Sequence, residues 1–227
     1  MSTDIIDRLA GIEPGSPLDR LRRRRPDARD HAQRGYLALF PESPAPVSAP
    51  APVSAPAPAS ASAPDTGTGE VSRVERHAVA AFVAGLHQDA PAVEHYAGLL
   101  AADAPELAAA VAAEVEAATT TGPYGIYPEG PLAGESVPGP VHRVGDRTAL
   151  GERLAAALEH AHLLVFRPRE ADREALRALA RAGWSTTGIV TLSQLVSFLT
   201  FQIRVATGLR LLGATTQTSH EYQEARP

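Results

Sequence analysis

Apolar positions recur at spacings of three and four over most of the chain, the period of a helix that buries one face. From Ser72 the stripe runs through Val74, Ala78, Ala81, Phe82, Gly85 and Leu86, and a second runs through Val93, Tyr96, Ala97 and Leu100. Asp89 with Pro91 is a start signal for that second helix, an acceptor at the cap followed by a proline whose missing N–H costs nothing in a first turn. Asp103, Pro105 and Glu106 predict a capping box that opens an alanine-rich third helix reaching about Ala118. Near Thr148 helices resume: Leu150, Leu154, Leu158, Ala161 and Val165 mark one stopped by Pro168, and Ala175, Leu176, Leu179 and Ala180 a shorter one closed by Gly183. Ser185 or Thr186 caps a long final helix whose core candidates are Ile189, Leu192, Leu195, Val196, Leu199, Ile203 and Ala206. No stretch alternates with period two for long enough to predict a strand, so the fold class is all-α.

The pattern lapses in two places. Residues 41–70, with the hexapeptide APVSAP twice and almost nothing to form a core, predict a solvated Pro/Ala/Ser linker. It divides an N-terminal helical arm, residues 1–40, from a main domain, 71–213, followed by a tail, 214–227. In the arm, Asp4 caps a turn ended by Gly11, Ser16 and Pro17 start "PLDRLRRRR", and a third helix runs from Asp27 to Phe40, offering Tyr36, Leu37 and Phe40 to a larger body. The second lapse, the Gly/Pro-rich 119–146, is long for a connection inside a domain. Tyr124, Ile126 and Tyr127 suggest that its first half packs on something, as a lid or as a plain surface loop.

Composition narrows the chemistry more than it identifies it. Cysteine is absent from the 227 residues, which excludes disulfides, thiolate nucleophiles and cysteine metal sites. Every basic residue is arginine, so Schiff-base chemistry is excluded as well. A net charge of −5 gives no reason to expect nucleic acid or a membrane surface as partner. The run Arg22 to Arg25 reads as a solvated helix end rather than a phosphate site. No apolar run approaches the ~20 residues that span a bilayer, and "MSTDIIDRLAG" lacks the features of a signal peptide, so the expected location is cytoplasmic.

The order of elements from about Ser72 to Gly213 resembles the AhpD-like superfamily of carboxymuconolactone decarboxylase (CMD) domains, and within it the peroxidase-related branch. Members there begin a core helix with an acid, reach a Gly-x-Cys-x-x-Cys turn about a dozen residues on, and place a histidine four residues after the second cysteine. Here "VERHAVAAFVAGLH" supplies Glu75 at the acid's position, His87 where the first cysteine would stand and Ala90 at the second; the family histidine aligns with Glu94, with His95 one place beyond. The closing part is matched by Arg204, Val205, Ala206, Gly208 and Leu209, with Ile203 in place of the usual Asn. The arm looks like the extension of a small bacterial subgroup named only as CMD-domain proteins.

What the resemblance implies is limited by the missing sulfur. Peroxide reduction by paired cysteines is excluded, since neither His87 nor Ala90 forms a sulfenate or disulfide. The decarboxylase members need no thiol, and their chemistry would fall to Glu75, His87 and His95, with Arg204 anchoring a substrate carboxylate. Against this, Ser72 and Glu75 also spell a capping box, His87 suits a helix C-terminus, Asp89 is an ordinary cap, and His95 can simply face solvent. His87, Asp89, Glu94 and His95 could ligate zinc or iron, but their spacing matches no ligand motif, so no metal or cofactor is expected. His160 and His162, two apart on a helix, point to different sides. The expected function is therefore a divergent non-redox member acting as a binding or oligomeric partner. The alternative is an acid/base enzyme, decarboxylase- or isomerase-like, on a small carboxylated substrate. The resemblance implies assembly as a trimer or hexamer, or with a cysteine-containing relative; Phe198, Phe201 and Leu209 are more apolar surface than one small bundle should hide.

Overall fold

The computed structural model describes residues 4–41 and 71–224, with the side chains of 4–41 and 71–215. The linker expected at 41–70 thus lies, but for its first residue, outside the described residues. Ten α-helices follow in order: α1 (Ile5–Ala10), α2 (Pro17–Arg23), α3 (Pro26–Leu39), α4 (Arg73–Leu86), α5 (Ala90–Asp103), α6 (Pro105–Ala118), α7 (Arg147–Leu150), α8 (Glu152–Phe166), α9 (Arg173–Arg181) and α10 (Thr186–Glu224). There is no strand among the described residues, only one antiparallel bridge between Gly125 and Val137. The protein is all-α.

The middle of the molecule is α4, in which every residue from His77 to Leu86 is buried. Its alanines keep it thin, so α5, α6, α8 and α10 all pack on it. At Gly85 the approach is closest: a Cβ there would lie 2.5 Å from Val115 Cγ1 of α6, which only glycine avoids. The predicted stripe of α10 is the other half of the core, with Leu192, Leu195, Val196, Leu199, Ile203 and Ala206 all buried.

Helix starts are set by local chemistry and fall where expected. Asp4, Ser16, Ser72 and Asp89 each accept a hydrogen bond from an N–H of the first turn, and Gly11 closes α1 at φ +64°. Three boundaries differ from expectation. Asp103 is not a cap for α6: it ends α5, its carboxylate 2.8 Å from both Arg73 and His77, and Ala104 precedes Pro105 with no side-chain cap. The helix expected from Thr148 is broken at Gly151, whose φ of +75° separates α7 from α8. The tail expected after Gly213 continues α10 to Glu224, since a lone glycine lowers helix propensity by only about 1 kcal/mol and nothing breaks the run after it.

The arm is no separate body. Ile5, Ile6 and Leu9 are at most 3% exposed and join one continuous core with α5 and α10, as do Ala32 of α3 and Phe40 just after it. Leu37 stays exposed. Arg22, expected in solvent, turns inward to pair with Asp4 and Asp7, while Arg23 pairs with Asp19. Arg76 donates to the carbonyls of Leu39, at 3.0 Å, and of Val71, at 3.2 Å, so one guanidinium holds both ends of the segment between α3 and α4.

As a helix, Thr186–Thr215 is long and apolar enough to cross a bilayer, contrary to the run-length expectation, though 39% of its most apolar window is buried. Leu192, Leu195 and Leu199, all fully buried against the bundle, give it the position of a core helix. In the long loop, Tyr124 packs on the core and its N–H donates to Phe166 O at 2.7 Å, Tyr127 lies under the Arg169 guanidinium, and Ile126 is exposed.

Candidate functional site

The turn between α4 and α5 holds His87 and Asp89, two of the residues that the sequence singles out. Here α4 ends at Leu86, His87 follows in the right-handed region, and Gln88 sits at φ +52°. That conformation reverses the chain, and it favours glycine. Gln88→Gly is accordingly expected to raise the unfolding free energy by about 0.5–1 kcal/mol, checked by urea unfolding; a destabilised variant would show that the Gln88 side chain contributes more than its backbone costs.

Asp89 then ties three elements together. Its Oδ1 accepts from Ala92 N at 3.1 Å, capping α5; its Oδ2 accepts from Thr207 Oγ1 at 2.8 Å and from Arg210, both on α10. Arg210 also donates to Leu9 O of α1 at 2.8 Å. Asp89 is buried, so these bonds form away from competing water.

Each predicted site residue has its own partner. Glu75 completes the capping box, its Oε2 accepting from Ser72 N at 2.8 Å, while its Oε1 accepts from Arg153 Nε at 2.6 Å. Arg153 continues to Gly183 O and lies over the Trp184 ring, so Glu75 fastens α4 to α8 and to the turn between α9 and α10. His95 Nε2 is 3.1 Å from the Tyr36 hydroxyl of α3. His87 Nε2 is 3.2 Å from Thr200 Oγ1 of α10. Arg204 is exposed one turn beyond Thr200. Among the described residues no hydrogen bond or ion pair joins Glu75 to either histidine. No group of three or more His, Asp or Glu there is placed to hold a metal ion.

Only His87 and Arg204 come together. Burial, then the positive charge of Arg204, hold the His87 pKa below its ordinary value against the opposing pull of Asp89. Both meet a groove of about 720 Å³ between α8 and α10, His87 through Thr200, and Arg204 and Thr200 directly. His95 instead borders a smaller recess with Arg8, Leu9 and Glu94.

Sequence reasoning missed a buried polar cluster on the other side of α4. His142 Nε2 lies 3.2 Å from Glu114 Oε2, its ring 5.2 Å from that of His162, and His162 Nε2 is 3.2 Å from Ala118 O. Glu114 Oε1 also accepts from Gly145 N at 2.9 Å, so one carboxylate secures the end of the long loop. A signal was present: Val111, Glu114 and Ala118 are three and four apart, an acid standing in a core stripe. His160 and His162 do point to different sides, yet α8 is buried on both, and both rings are inside.

Burial holds His95 down to about 4, with Arg8 and His77 adding repulsion, and holds His162 down to about 4, with His142 next. Both bind a proton more weakly in the folded chain than in the unfolded one, so between the ordinary 6.5 and about 4 the unfolded chain holds more protons. Stability present above that window is lost as pH falls through it, by on the order of 3 kcal/mol between about pH 7 and about pH 4.5 after allowance for partial exposure. Urea midpoints across this range measure it, and His95→Gln should flatten the slope by about one proton; an unchanged slope would remove His95 from the account.

No family model matches the chain, and no curated protein matches it.

Proposed function

We propose that this is a cysteine-free CMD/AhpD-like protein that acts by assembling with other chains, copies of itself first, rather than by chemistry at the turn between α4 and α5. The reading places it in the cytoplasm, with the trimer or hexamer of the resembled domains as its form and a cysteine-containing relative as a second partner. The observation that carries it is the stretch of α10 around Leu211, well past the core positions of that helix. Leu211 and Leu212 are 65% and 44% exposed there, and Leu21 of α2 is 40% exposed on the helix whose Leu18 lies against Gly213. Large apolar side chains left exposed on neighbouring helices are characteristic of a surface that another chain covers.

The polar candidate residues support the same reading, because they are committed to structure. Glu75 is held between Ser72 and Arg153, His95 to Tyr36, Asp89 to α5 and α10. The acid/base alternative needs Glu75 within reach of a histidine, and the bonds of Glu75 give it no support.

The test is the mass in solution of the double variant Leu211→Glu/Leu212→Glu, by light scattering. It should run as a single chain with an unchanged far-UV spectrum, having lost on the order of a hundredfold in association. A variant that assembles as the native protein does would refute the proposed surface.

A further inference from the structure

On α10, Ser197, Thr200, Phe201 and Arg204 stand three and four apart and so share a helix face, and all four line the groove between α8 and α10. Leu164 and Val165 of α8 form the facing wall. None of the ten lining residues is an acid, and Arg204 is the only charged one. Its guanidinium is exposed and has no hydrogen bond or ion pair among the described residues. In the groove bordered by α8 and α9, by contrast, the arginines are paired: Arg143 with Glu159, Arg167 with Glu170 and Arg181 with Glu174.

We propose that the groove between α8 and α10 binds an amphipathic monocarboxylate, a medium-chain fatty acid or an arylalkanoic acid, with its carboxylate on Arg204 and its tail between Leu164 and Phe201. A guanidinium presents two parallel N–H donors that match a carboxylate, and over an apolar wall the pair is less screened than in open water. Long side chains on a helix lean toward its N-terminus, which brings the Arg204 fork over Thr200. His87 Nε2 lies 3.2 Å behind Thr200 Oγ1, and in the tautomer with its proton on Nε2 a neutral His87 donates to that oxygen and leaves the hydroxyl proton for the ligand. The volume of about 720 Å³ lies in the range of small-molecule sites, and apolar walls with a few convergent polar groups are their usual lining.

The inference goes beyond assembly and uses a different part of α10: Phe201 and Leu211 are about 15 Å apart along the helix at 1.5 Å per residue. The experiment is calorimetric titration of the full chain with decanoate below its micelle concentration, beside decan-1-ol, which has the same tail and no charge. Decanoate should bind at one site per chain. Arg204→Gln should weaken it about tenfold or more, Arg204→Lys should recover most of that loss, and decan-1-ol should be weaker by a similar factor. Ser197→Trp, which fills the groove, should abolish binding, with unchanged melting temperatures showing that each variant is folded. The Leu211→Glu/Leu212→Glu protein should bind decanoate as the native chain does, so a failed assembly surface and a failed ligand site are read separately. No binding to the native chain, as when a second copy covers the groove, overturns the proposal. So does equal binding to Arg204→Gln, or decan-1-ol binding as tightly as decanoate.

Discussion

Asp89→Ala is expected to lower the unfolding free energy by about 3 kcal/mol, a large fraction of what a domain of this size has. The helix cap it supplies to α5 accounts for about 1 kcal/mol. The remainder comes from Thr207 and Arg210, which lose their acceptor where Asp89 is buried and Arg210 is 30% exposed; stranding such donors costs about 1–3 kcal/mol. Because Arg210 also holds Leu9 O, the loss should spread to α1, visible as faster amide exchange at Ile5 and Ile6. Asp89→Asn keeps the cap and should recover about 1 kcal/mol of the loss. Denaturant unfolding of the two variants decides it: equal stability of Asp89→Ala and the native chain would show that the three-way tie contributes nothing.

Phe82→Ala should cost about 4 kcal/mol. Phe82 is fully buried in the middle of α4, and its ring lies 5.9 Å from that of His142, so the cavity opens where the bundle meets the end of the long loop. The surroundings are poorly able to collapse, because α4 is buried from His77 to Leu86 and four other helices already pack on it. Phe82→Leu, which keeps most of the volume, should cost only about 1 kcal/mol. A loss under about 1 kcal/mol for Phe82→Ala would mean that the α4 core repacks freely, against the close approach at Gly85.

Helices were legible in the sequence because their signals are local. Asp4, Ser16, Ser72 and Asp89 carry the cap in the residue itself, and the apolar stripes of α4 and α10 carry the buried face in their period. Where a side chain had two local roles open to it, a distant partner decided. Asp103 reads as a cap and is instead taken by Arg73, thirty residues away, and by His77. Arg22 reads as solvent-facing and is drawn in by Asp4 and Asp7. The candidate site was less legible for the same reason. His87 meets Thr200 across 113 residues, and His95 meets Tyr36 across 59, and no spacing along the chain encodes either meeting. At the arm, Tyr36 and Phe40 pack on the core as their apolar character suggests, while the joining of Ile5, Ile6 and Leu9 to the same core, and of Leu39 to Val71 through Arg76, rests on contacts that no spacing along the chain encodes.

The turn between α4 and α5 emerges as a joint. It reverses the chain through Gln88, starts α5 with Asp89, and passes bonds to α10 from both His87 and Asp89. The bonds of His87 and Asp89 commit this turn to the packing of α10, which is why the proposed function is assembly rather than chemistry here.

That assignment is tested most directly by sedimentation equilibrium of the native chain beside the His87→Ala/His95→Ala variant over a dilution series. The account predicts a mass of several chains for both, with the same concentration dependence. A native protein that remains a single chain at every concentration, or an assembly lost with the two histidines, would contradict it.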